Sequence, residues 1–77
     1  MNYEQILLWQ RGSKAEQVAA ELASLIQKGS LSKWDSLPLN STLAGKFDVS
    51  TRTISEAKRL LKSHGLLTLL ERRYYVA

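Results

Sequence analysis

Residues 48–64 read DVSTRTISEAKRLLKSH and are followed at once by GLL. Ser50 has the side chain and position of a helix N-cap, and Gly65 is free to take the left-handed conformation that ends a helix. Between them, at about 100° per residue, Thr51, Arg52, Ser55, Lys58, Arg59 and Lys62 share an arc of roughly 120°. Ile54, Ala57, Leu60 and Leu61 fall on the other side, with His64. Amphipathicity alone marks only a surface helix. A polar arc that bears cations and hydroxyls, with one acid, Glu56, at its margin, is suited to a polyanion.

The flanking segments continue the pattern. Upstream, Leu43, Ala44 and Phe47 define the buried side of a short helix that Asn40 or Ser41 can cap, and Asp48-Val49 makes the turn into the next helix. Pro38 stops any helix before it, so the chain from Ser30 to Pro38 is expected to be irregular or briefly extended, anchored by Leu31, Trp34 and Leu37. Downstream of Gly65 the period becomes extended. Leu66 to Leu70 and Tyr74 to Val76 are β-prone runs joined by Glu71-Arg72-Arg73, which predicts a hairpin with a charged tip. That tip contains no Gly, Asn or Asp, so a tight type I′ turn is disfavoured.

Towards the N-terminus, Ser13-Lys14-Ala15-Glu16 has the form of a capping box that starts a helix at Lys14. Ala15, Val18, Ala19, Leu22, Leu25 and Ile26 recur at helical spacing, and Gly29 stops that helix near Lys28. Tyr3 to Gln10 is read as a short extra helix whose Ile6-Leu7-Leu8-Trp9 cluster packs on the domain's own core rather than on a partner. The domain reading is therefore an N-terminal extension over 1–12 and one folded unit over 13–77.

Composition narrows the function classes. A chain of 77 residues without cysteine must fold on apolar packing alone. Its longest apolar run, Ile6 to Trp9, is far shorter than a membrane span or a signal-peptide core, so the expected location is the cytoplasm. Cations and acids cancel over residues 1–49. Arg52, Lys58, Arg59, Lys62, Arg72 and Arg73 against Glu56 and Glu71 then account for the whole net charge of +4. The excess lies where a polyanion would approach. No enzyme is expected. His64, the single histidine, falls on the core side near a helix end, where packing or C-capping is the commoner role. Nor is there a Gly-rich phosphate loop or a carboxylate cluster, and no metal or cofactor is called for.

Helix, short helix, tight turn, polar-faced helix and basic-tipped hairpin together predict a mainly α fold with a small β-hairpin, a winged helix-turn-helix. A helix fits the major groove of B-DNA, and a flanking hairpin can lay cations on adjacent phosphates or the minor groove. On this reading the recognition helix spans about 50–64 and the wing 66–77. Ser50, Thr51, Arg52 and Ser55 face bases. Thr53, Lys58, Arg59 and Lys62 face phosphate, and Arg72 and Arg73 are the wing contacts.

The order and spacing of Ile26-Gln27-Lys28-Gly29, Leu31, Leu37-Pro38, Leu43-Ala44, Phe47, Val49-Ser50, Thr53-Ile54, Ala57, Leu60, Gly65-Leu66-Leu67 and Tyr75-Val76-Ala77 resemble the DNA-binding domain of GntR-type bacterial transcription regulators. The likeness runs from about Lys14 to Ala77. It implies double-stranded DNA as the partner and a repressor as the parent activity. Since GntR-type regulators normally pass into a larger domain that binds an effector and makes a homodimer, the chain is expected to be either an isolated N-terminal domain or a protein lacking that sensor. Departures from the family pattern fall at its DNA contacts. The resemblance places Ser41, Thr51 and Ser55 where the family carries arginines, and Arg52 at a variable position where it could pair with guanine. The wing lacks the family's glycines. The rival reading is a winged helix used for protein interaction, or as an accessory module in DNA replication or partition.

Overall fold

The computed structural model describes residues 3–77. Residues 1 and 2 of the 1–12 extension lie outside the described residues. In chain order the elements are α1 (Tyr3–Gln10), α2 (Lys14–Gln27), α3 (Asn40–Phe47), α4 (Thr51–Ser63), β1 (Leu67–Leu70) and β2 (Arg73–Val76). No helix is long and apolar enough to cross a membrane among the described residues.

The start of α2 follows from its sequence. Ser13 Oγ accepts from the Glu16 N–H at 3.2 Å, and the Glu16 carboxylate accepts from the Ser13 N–H at 2.9 Å. Two N–H groups that the helix leaves unpaired are satisfied reciprocally. Beyond Gln27, Gly29 takes φ 82° and turns the chain away. α2 packs against both α1 and α4. Ala20 and Ala23, which the predicted stripe leaves out, are accordingly buried along with Ala15, Val18, Ala19 and Leu22.

The core forms where α2 meets α4. Ala19 and Ala23 on the first helix and Ala57 on the second have no exposed surface, and these short side chains let the backbones approach closely. Leu22, Ile54 and Leu61 fill the space around them. Leu43 and Ala44 of α3 join the same cluster, as do Leu67 and Val76 of the sheet and Ile6 and Trp9 of α1. α1 thus uses half of its apolar cluster for the core. Leu7 and Leu8 remain exposed, because an eight-residue helix lying on a surface buries only one side.

β1 and β2 pair antiparallel, with Leu67 opposite Val76 and Leu70 opposite Arg73. Only Glu71 and Arg72 remain to make the turn, and both have positive φ, 48° and 67°. Two successive positive φ values are the mark of a type I′ connection. The expectation against a tight turn is therefore corrected: strand pairing overrides the preference of Glu and Arg for negative φ. The segment before α3 flanks the other side of β2. Trp34 N–H donates to Val76 O, Val76 N–H to Asp35 O, and Leu37 N–H to Tyr74 O, with Ser36 bridged to Tyr75. The brief extended stretch is present, and Leu37 is buried as an anchor. Trp34 is not an anchor. Its backbone takes φ 71° and its side chain is 59% exposed, because the hydrogen bonding that places it involves the main chain.

Candidate nucleic-acid interface

α3 and α4 meet through a three-residue turn. Asp48 takes φ 55° and closes α3, and Val49 N–H donates to Ala44 O. Ser50 is the N-cap of α4, with Oγ accepting from the Thr53 N–H at 3.1 Å and lying 3.0 Å from Thr53 Oγ1. This arrangement fixes the first turn of α4. Thr51 and Arg52 project from it exposed, while Thr53 and Ser55 are half-buried. Neither Asn40 nor Ser41 caps α3: the N-cap is Leu39, which makes no side-chain cap bond. Helix start signals place Asn and Ser at the cap, but the extended chain that follows Leu37-Pro38 enters the helix one residue earlier.

Arg52 Nε lies 3.3 Å from Glu56 Oε1, one helical turn on. The Arg52 side chain is 90% exposed, and an exposed pair of this kind is worth only about 0–1 kcal/mol. Glu56 therefore orients the guanidinium without holding it back from a stronger partner.

Lys58 departs from the expected phosphate-facing arc. It is 5% exposed, its Nζ donates to Pro38 O at 2.9 Å, and the ammonium lies 5.9 Å from the centre of the Tyr74 ring. Burial pushes its pKa below the ordinary lysine value. The reason is spacing. Ile54, Ala57, Lys58 and Leu61 are the buried residues of α4, and they stand at i, i+3, i+4 and i+7. The four-carbon stem occupies an apolar position, and the charged end finds a carbonyl. A cation at the i+4 position of a core stripe was the signal that a wheel centred on the polar arc passes over.

The remaining expected residues divide into three groups. Ser50, Thr51, Arg52, Thr53 and Ser55 stand together on the first turns of α4. Ser41, Arg72 and Arg73 line one groove of about 710 Å³ between the start of α3 and the wing, with Asn40 and Tyr74 beside them and Lys58 in its wall. Arg59 and Lys62 are both exposed, and Arg59 lies beside Ser13 and Glu16 at the start of α2. Asn40 and Tyr74 carry no charge, so the charge count passed over them. His64 is the C-cap of α4, its N–H donating to Leu60 O and its ring standing edge-on to Trp9 at 4.9 Å. Among the described residues no three His, Cys, Asp or Glu side chains come together in a way that could hold a metal.

The model of the bacterial regulatory proteins of the gntR family matches residues 14–74. The chain belongs to the GntR family. Among relatives, the HTH-type transcriptional regulator YydK of Bacillus subtilis is 35% identical over 54 residues, which is 70% of this chain and 23% of that protein. The GntR fold is shared with the AraR DNA-binding domain in complex with operator ORX1, at TM-score 0.80 and 33% identity over 86% of this chain and 81% of that one. It is shared likewise with YtrA of Sulfolobus acidocaldarius, a GntR-family transcription factor, at TM-score 0.79 and 32% identity over 86% and 70%. α2 to α4 and the hairpin are thus the GntR winged helix, with α3 and α4 as its helix-turn-helix and β1–β2 as its wing.

Proposed function

We propose that the protein binds double-stranded DNA sequence-specifically as the DNA-binding domain of a cytoplasmic transcription repressor. α4 enters the major groove, and the wing lies on the flanking backbone or minor groove. The observation that carries this is the division of α4. Ile54, Ala57 and Leu61, without exposed surface, hold the helix, while the Ser50 cap presents Thr51 and Arg52 outward. Arg52, steadied by Glu56, is the guanine-reading residue, with Thr51, Ser50 and Ser55 beside it. Arg72, Arg73 and Ser41 take phosphates along the groove, Thr53 takes one at the cap, and Arg59 and Lys62 act further along the backbone. The complex of AraR with operator DNA supports the same use of the fold here.

The chain spans about a quarter of the length of YydK. In a longer regulator, a further domain would bind an effector and pair two copies, setting half-sites about 34 Å apart. Selection of bound sequences from random duplex DNA at two salt concentrations tests the reading. Four exposed cations, Arg59, Lys62, Arg72 and Arg73, predict a log–log salt slope of about −3.6. Arg52→Ala should relax preference at one base pair, at a cost of about 1–3 kcal/mol. A flat salt response, or an unchanged selected sequence with Arg52→Ala, would refute it.

A further inference from the structure

One side chain joins all three parts of the interface. Lys58 leaves α4, its Nζ donates to the carbonyl of Pro38 two residues before α3, and its charge lies over the ring of Tyr74, next to Arg73 in β2. The chain on either side of these two partners is itself joined, since Leu37 N–H donates to Tyr74 O. Lys58 is buried as a residue, with 5% of its surface exposed, although it forms part of the groove wall and its bond to Pro38 is only partly buried. A buried charge is costly unless it is held by good hydrogen-bonding geometry, and its lowered pKa reflects that burial. An apolar side chain of similar length would fill the same space but supply neither the donor for Pro38 nor the attraction to the Tyr74 ring.

We propose that Lys58 is the positioning residue that fixes the wing against the start of α3, and so sets where Arg72 and Arg73 stand relative to the reading end of α4, without neutralising a phosphate itself. This rests on the DNA-binding reading above. Wing placement is otherwise secured by the core packing of Leu67 and Val76 and by main-chain hydrogen bonds from residues 34–37, of which only the one from Leu37 to Tyr74 reaches towards the tip. The Lys58–Tyr74 contact acts one residue from Arg73, closer to the tip than any of those bonds except the one from Leu37.

The test is a double-mutant cycle. Lys58→Met keeps the stem and removes the donor and charge; Arg72→Ala with Arg73→Ala removes the wing cations. Affinity is measured for a mixed-sequence duplex of 30 base pairs, at one low salt concentration where all four proteins bind. Lys58→Met alone should weaken binding about tenfold, on the scale of one or two lost phosphate contacts. In the background lacking the wing arginines it should cost less than twofold, since a residue that acts through the wing has nothing left to position. Equal losses in both backgrounds would mean that Lys58 acts on DNA directly, and would overturn the proposal. Lys58→Gln, which keeps a donor for Pro38 without the charge, should recover part of the affinity. Amide exchange in the free protein supplies the independent arm. Lys58→Met should speed exchange at the Leu37 and Arg73 N–H groups by several-fold while α2 stays unchanged; unaltered exchange there also overturns it. A wild-type chain that fails to bind any duplex would instead overturn the DNA-binding reading, with the exchange arm still testing the strap.

Discussion

The turn of the wing is predicted to be a place where stability is held below what the fold allows. Glu71 and Arg72 occupy φ 48° and 67°, and an L residue in that region is disfavoured by about 1–2 kcal/mol. Arg72→Gly removes the penalty at one position but also frees the unfolded chain, by about 0.4–1 kcal/mol. At mid-range values the net gain is about 0.8 kcal/mol. Glu71→Asn, with a residue that tolerates this conformation, adds about 0.5 kcal/mol. The double variant should therefore be about 1–1.5 kcal/mol more stable. For a domain of this size each kcal/mol raises the midpoint by about 4–8 °C, so Tm should rise by about 4–12 °C. Circular dichroism on heating measures it, with urea titration as the check that the midpoint moves and the slope does not. The same substitutions remove one cation and one acid from the wing tip, so overall charge is unchanged. Any loss of DNA affinity then reports Arg72 itself, and the salt slope should fall by about 0.9. A double variant no more stable than the parent would refute the reasoning, because it would mean that the turn conformation imposes no local strain.

Two further outcomes are expected. Ser50→Ala should destabilise the domain by about 0.5–2 kcal/mol, since the Thr53 N–H loses its acceptor at the first turn of α4; a denaturant midpoint equal to the parent's would contradict the capping role. Because burial lowers the Lys58 pKa, the unfolded chain binds more protons than the folded one between that lowered value and about 10.4, so stability gains with pH across this window. Measured against Lys58→Met, which lacks the titration, the parent should be relatively more stable at pH 10 than at pH 7, and the reverse order in chemical denaturation would sink the assignment.

What was legible in the sequence was what local chemistry decides. The reciprocal bonds of Ser13 and Glu16, the Ser50 cap, and the left-handed Gly29 and Gly65 each depend on residues within a few positions, and each stands where the sequence puts it. The winged-helix order followed from these signals together with the apolar spacing, and the GntR likeness rested separately on a resemblance in the order of framework residues from Ile26 to Ala77. Long-range pairing was not legible. Residues 34–37 join β2 through main-chain bonds, which leave no side-chain pattern, and the same pairing leaves Trp34 in solvent. The tight turn at Glu71-Arg72 is imposed by the register of the strands against the preference of its own residues. Lys58 falls on the cationic arc when charge is counted, but its spacing between Ile54 and Leu61 puts it among the buried residues of α4. Of the interface, the cluster at the start of α4 could be drawn from the helix alone, whereas the groove that joins Ser41 to Arg72 and Arg73 exists only once the wing has folded back.

The division of α4 has a consequence for how such a domain can change. Thr51, Arg52 and Glu56 are exposed and touch little of the scaffold, so their replacement should alter which DNA is preferred while leaving folding almost untouched. Specificity and foldability are to that extent separately inherited. On the proposed reading, new operators would be within reach by single steps at positions 51 and 52. Lys58 is the exception, the one polar residue of the helix through which drift in the core would be felt at the wing.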